Sequence, residues 1–191
     1  MITHTEILTE LVGHFLIATP QMSDERFHQA VIYMCSHDHE GAMGLIINQP
    51  TIEMKLDDLL NKLNQDPARF GGEETVFTGG PVEPKRGYIL HSSDHLMPDS
   101  ITITEDIALS MQVEMVVEIG AGIGPQQHKI MLGHTGWGPG QLEEEMVENM
   151  WLHLPAEPNM VFDAHTRDLW QETLALRGFN AGNLSPLAGR A

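Results

Sequence analysis

The sequence predicts an α+β (complex α/β) fold: a mixed, partly irregular or barrel-like β-sheet surrounded by helices, in one domain over residues 1–191. Three observations lead there. Strand-like runs come in clusters with interspersed helices, not in strict βαβ alternation. Several runs are apolar on both alternating faces, as in a buried sheet. With 191 residues and 41% hydrophobic residues, the chain can bury a real core within a single domain.

The elements follow in chain order. His14–Thr19, Val31–Ser36 and Gly44–Asn48 read as strands, and Ser36–Gly41 as the hairpin connection between the last two. Leu56, Leu59, Leu60 and Leu63 fall at i, i+3, i+4 and i+7, which predicts an amphipathic helix over Met54–Asn64. Gln65–Glu74 is polar, carries Pro67 and Gly71-Gly72, and reads as a surface loop. Thr75–Thr78 and Gly87–Ser92 are strands flanking a first glycine passage, and Ile101–Thr104 alternates as a half-exposed strand. Val113–Ile119 has helical spacing and stops at Gly120, and Lys129–Leu132 is a strand entering a second glycine passage. Pro139 suits a first helical residue, with Leu142 and Met146 on one face of a helix to about Asn149. Trp151–Leu154 reads as a strand. Asp163 is a good N-cap for a helix to Arg177 closed by Gly178, with an irregular tail from Phe179.

Composition narrows the function classes. The formal charge is −17, from 27 acidic against 10 basic residues, and Lys85-Arg86 is the only adjacent basic pair. Nucleic-acid binding needs Lys and Arg to neutralise phosphates, so direct DNA or RNA contact is disfavoured, as are anionic membranes. No apolar run approaches the ~20 residues of a membrane span. The first residues, Met1–Glu6, lack the basic start and apolar stretch of a signal peptide. Cys35 is the only cysteine, so no internal disulfide can form and a reducing cytoplasm is the expected compartment.

The two glycine passages are the most informative stretches. They are Thr78-Gly79-Gly80-Pro81-Val82 and Gly133-His134-Thr135-Gly136-Trp137-Gly138-Pro139-Gly140-Gln141-Leu142. Glycines this dense cost backbone entropy and mark special conformations or close approach. The second has the strand–glycine–helix order of a phosphate loop. It lacks the Gly-Lys-Ser/Thr ending, and Glu143, Glu144 and Glu145 in the first turn would repel a phosphate. A neutral or cationic ligand suits it better.

Other candidates are weaker. His37 and His39 at i and i+2 on a strand would point the same way toward one metal ion, but two ligands do not make a site. Cys35 sits in an apolar strand, which reads as a buried, inert thiol unless His37 lies on its face. Ser92 and Ser93 form no Gly-x-Ser-x-Gly elbow. Trp137 and Trp151 read as core or interface anchors. No cofactor motif is complete, and none is expected.

Taken together, these blocks resemble the bacterial YqgE/AlgH family over nearly the whole chain. The resemblance runs from His14-Phe15-Leu16-Ile17-Ala18-Thr19-Pro20 through Asp24, Phe27, His37 and Gly41-Ala42-Met43-Gly44-Leu45-Ile46-Ile47-Asn48. It continues with Gly79-Gly80-Pro81-Val82 and Leu90-His91-Ser92, and ends in Leu132–Glu143, the most specific block. His134-Thr135 departs from the aromatic–small pair of the family pattern, which weakens a ligand role for His134. The resemblance implies a mixed α/β fold with a branched sheet, and a label as transcriptional regulators. It implies no enzymatic activity or cofactor.

Two readings of function follow. The first is a cytoplasmic binding or regulatory protein without catalysis, acting on a protein or small-molecule partner. Its surface would comprise Thr78, Gly79, Gly80, Pro81, His91, Gly136, Trp137, Gly138 and Gln141, with Asn48 nearby. The second is a hydrolase-like enzyme using His91 or His37 as base, which requires at least two of His37, His91, Asp94 and Cys35 to converge on one pocket.

Overall fold

A computed structural model describes residues 11–66, 74–162 and 168–179. The strands are β1 (His14–Ala18), β2 (Val31–Asp38), β3 (Gly41–Ile46), β4 (Pro50–Lys55), β5 (Thr75–Thr78), β6 (Val82–Ser92), β7 (Ile101–Thr102), β8 (Ile107–Ser110), β9 (His128–Trp137) and β10 (Trp151–Pro155). The helices are α1 (Leu56–Lys62), α2 (Val113–Gly120), α3 (Gln141–Val147), α4 (Pro158–Phe162) and α5 (Leu169–Leu176), with one 3₁₀ turn at Glu25–Phe27. This is the expected α+β architecture, a curled sheet with helices against it. The strand order is β10-β1-β2-β3-β9-β6-β8-β7, and β4 and β5 branch from it. All pairings are antiparallel except β5 with β9.

Alternation along the strands builds three cores. Phe15, Ile17, Tyr33, Leu45, Leu90 and Met131 point to one face, where α4 and α5 cover them through Val161, Leu169, Trp170 and Leu174. On the opposite face, Leu16, Ile32, Ile46 and Trp137 meet Leu142 of α3. Farther along that face, Ile89, Val76 and Ile130 meet Leu56 and Leu60 of α1 and Met115, Val116 and Ile119 of α2. The central strands β1, β2 and β3 therefore bury residues on both sides, which explains the doubly apolar runs.

Several element boundaries differ from the expectations. The hairpin connection shrinks to a tight turn, because β2 continues to Asp38 and β3 starts at Gly41. The predicted helix at Met54 begins at Leu56, behind β4, with the Asp58 carboxylate accepting the Lys55 N–H at 2.8 Å. Strand β6 starts at Val82, β8 had no counterpart among the predicted elements, and Ile101–Thr104 keeps only the exposed pair Ile101–Thr102. Pro139 is not helical: Gly140, at φ 76°, is the residue before the helix, and α3 stops at Val147. Gly178, at φ 80°, closes α5 with its N–H on the Ala175 carbonyl. The N-cap predicted at Asp163 and the tail beyond Phe179 lie outside the described residues.

The largest difference concerns the second glycine passage. Gly133–Trp137 is not a loop but the second half of β9. The first half of β9 pairs with β5 and the second half with β3, so the sheet branches between them. Gly79 sits at the branch, donating to the Leu132 carbonyl and accepting from Ile46, each at 2.8 Å. A Cβ on Gly79 would stand 2.3 Å from the Gly133 oxygen, and one on Gly80 2.2 Å from the His134 carbonyl carbon. The two passages therefore do meet, backbone against backbone, with no side chain able to come between them.

Candidate functional site: an acidic cleft beside the second glycine passage

Pairing of Ala42 with Trp137 carries the β2–β3 turn to the point where the chain leaves β9 for α3. Gly41 makes this approach feasible: at φ 140°, its Cβ would lie 2.3 Å from the Trp137 oxygen. Between turn and helix opens a cleft of about 530 Å³ lined by Asp38, His39, Gly140, Glu143, Glu144, Val147 and Glu148. Four carboxylates and one imidazole line it, and no Lys or Arg among the described residues does. Val147 is 82% exposed and gives the cleft an apolar wall.

The remaining side chains of α3 fix this helix to the sheet. Glu145 Oε2 accepts both indole N–H groups, from Trp137 at 2.9 Å and Trp151 at 2.7 Å. Gln141 donates to Glu145 Oε1 at 2.8 Å and accepts the Gly138 N–H at 3.0 Å. Glu143 meets His37 Nε2 at 3.0 Å, and that imidazole is 1% exposed beneath the cleft. Glu144, Val147 and Glu148 are left facing outward.

The expected site residues divide into groups. Gly136, Gly138 and Gln141 are exposed beside the cleft, and Trp137 is buried below it. Gly79 and Gly80 are buried in the sheet branch, with Thr78 and Pro81 on its rim. Asn48 braces the loop before β2, accepting from the Val31 N–H and donating to the Gln29 carbonyl at 2.8 Å each. His91 lies at the other end of β9, across from His128, about 25 Å along the strand from Gly136. One open cleft holding both glycine passages and His91 is therefore not formed.

The strand argument for a metal on His37 and His39 also changes. His39 stands exposed in the turn while His37 is buried on β2, so they do not share a face. Among the described residues, no group of three or more His, Cys, Asp or Glu is placed to hold a metal ion. A β-bulge between Met34 and Ser36 turns His37 to the side of Ala42, whereas Cys35 faces the opposite core. Burial pushes the Cys35 thiol up to about 12, and its Sγ is turned to the Tyr33 carbonyl. His91 is fully buried, and Asp94 is held by the Ser92 hydroxyl and the Gln126 N–H. The hydrogen bond from Ser92 lowers the Asp94 pKa. Of the four side chains named for the hydrolase reading, only His91 and Asp94 lie near each other, and His91 is fully buried.

Sequence reasoning identified the repulsive carboxylates of α3 but not their partners across the cleft. Asp38 and His39 join Glu144 only through the β3–β9 pairing, which no local pattern announces.

The comparisons with known proteins agree with this architecture. A family model described as AlgH-like matches residues 15–182. The chain belongs to the AlgH-like family. A UPF0301 protein of Mesorhizobium japonicum is 44% identical over 188 residues, covering 95% of this chain and 93% of that one. A UPF0301 protein of Pseudoalteromonas translucida is 38% identical, covering 96% of this chain and all of its own length. The solution structure of the AlgH protein from Pseudomonas aeruginosa, 37% identical, superposes with a TM-score of 0.79 over 100% of both chains. A Corynebacterium diphtheriae protein, DIP2367, shares the fold at 17% identity and a TM-score of 0.67, covering 86% of this chain and 85% of its own. Among the described residues of this AlgH-like chain, no helix is long and apolar enough to cross a membrane.

Proposed function

We propose that this AlgH-like protein is a cytoplasmic, non-catalytic binding protein that acts by holding a basic segment of a protein partner in the acidic cleft. The observation that carries this reading is the make-up of the cleft: four carboxylates and the exposed Val147 around about 530 Å³. Lys and Arg side chains present a cation on an apolar stem, matching such walls in both charge and character. The sheet on one side and the double-indole anchor of Glu145 on the other hold the cleft open before a partner arrives, which lowers the cost of ordering on binding. Any regulatory effect would pass through that partner, since a net charge of −17 opposes contact with DNA. The single buried Cys35 suits a reducing compartment.

The test uses the full chain, a labelled Lys/Leu peptide and fluorescence anisotropy. Glu144→Gln combined with Glu148→Gln is expected to weaken binding by about tenfold, with a shallower salt dependence. Glu25→Gln combined with Glu172→Gln removes the same charge from exposed positions outside the cleft and is expected to change affinity less than about twofold. Equal losses in the two double variants would reduce the effect to net charge and overturn the reading.

A further inference from the structure

The end of the sheet remote from the cleft carries a second concentration of ionisable groups. His91 of β6 and His128 of β9 are directly paired across the strands. Both lie on the face of Ile89 and Ile130, whose side chains pack against α2. His128 Nε2 meets the Glu74 carboxylate at 2.7 Å, just ahead of β5. His95, in the segment after β6, meets Glu118 of α2 at 2.6 Å. Two imidazole–carboxylate pairs thus tie α2 and the approach to β5 to this corner, with His91 close enough to feel His95, His128 and Asp94 electrostatically. Beside it, β8 contributes only Ala108 at the paired position.

His91 itself is fully buried. Its Nδ1 stands 2.9 Å from the Ser92 carbonyl, which can only accept, so Nδ1 carries a proton. Nε2 is buried and has no partner among the described residues, so in the neutral ring it is a bare lone pair. A proton arriving there would create a buried cation with no acceptor, beside two further imidazoles.

We infer that His91 is an acid-sensitive latch: while neutral it lets α2 and residues 92–97 close over the sheet, and its protonation opens that corner. Burial lowers the His91 pKa from its ordinary 6.5, aided by His95 and His128 and opposed by the Ser92 carbonyl and Asp94. A lowered value contributes nothing above pH 6.5, where closed and open states are both neutral. Below 6.5 the open state binds a proton that the closed state refuses, so closure weakens as pH falls. His128 has the opposite sign. Burial lowers its pKa, but the hydrogen bond and charge of Glu74 raise it further, for a net rise above 6.5. Its contribution is full below 6.5 and is lost as pH rises through the folded value. Acid therefore keeps the His128–Glu74 clamp on the β5 side while it weakens the closure over His91.

Hydrogen exchange of the full chain between pH 7.5 and 5.5, corrected for intrinsic rates, tests this. Protection at residues 113–120 is expected to fall as pH drops below 6.5, by at most about tenfold per pH unit, while β1–β3 hold. His91→Gln, which keeps a donor for Ser92 but cannot titrate, is expected to abolish that slope. An unchanged slope in the variant, or a loss spread over the whole sheet, would overturn the latch. If the variant does not fold, the imidazole resonances of the unmodified protein decide: His91 must stay neutral below pH 6.5 for as long as α2 is closed. A ring that titrates at 6.5 in the closed protein contradicts the proposal.

Discussion

Gly80, Gly133 and Gly136 show how one residue type serves different ends within a few ångströms. Gly80, at φ 152°, and Gly133, at φ 73°, each lie where a Cβ would come within 2.3 Å of backbone. Gly136 has its nearest neighbour at 3.9 Å and needs no left-handed conformation. Gly80→Ala and Gly133→Ala are each expected to cost about 3 kcal/mol or more. Gly136→Ala should stay within about 1 kcal/mol, all read from urea midpoints. That these glycines were special was legible from their density. Which of them serves the sheet branch and which faces solvent was not, because the distinction depends on a strand meeting a segment more than fifty positions away.

Among the elements, α3 has an unusual attachment. It is only seven residues long and buries Leu142, yet one carboxylate on it, Glu145, receives the N–H groups of two buried indoles. Glu145→Ala leaves both donors without that acceptor and is expected to cost about 2–4 kcal/mol. The Trp137 and Trp151 emission should shift to the red as α3 loosens. Glu144→Ala, on the outward face, should stay within about 0.5 kcal/mol. Strands with doubly apolar runs, read as His14–Thr19 and Val31–Ser36, were legible because burial on both faces leaves that mark. The full length of β9 was hidden by Gly133 and Gly136, which read as loop residues when the pairing that accommodates them is unknown. The start of β6 was hidden for the opposite reason: Val82–Arg86 is exposed and polar, so no apolar run announces it.

At the scale of the molecule, the sheet curls so that α4 and α5 close one face while α3 and the α1–α2 pair cover separate parts of the other. This division places the acidic cleft and the His91 corner at opposite ends of β9. The net charge of −17 was plain from composition, and so was its conflict with nucleic-acid binding. Where the charge forms a concave surface was not, since Asp38 and Glu144 are distant in sequence and join only after β3 pairs with β9. The central claim is that this cleft receives a basic partner segment. The most direct measurement is an amide chemical-shift titration of the full chain with the Lys/Leu peptide. Shifts confined to residues 38–41 and 138–148, saturating with one peptide per chain, are the expected result. Shifts scattered over the acidic surface without saturation, or centred elsewhere, would contradict it.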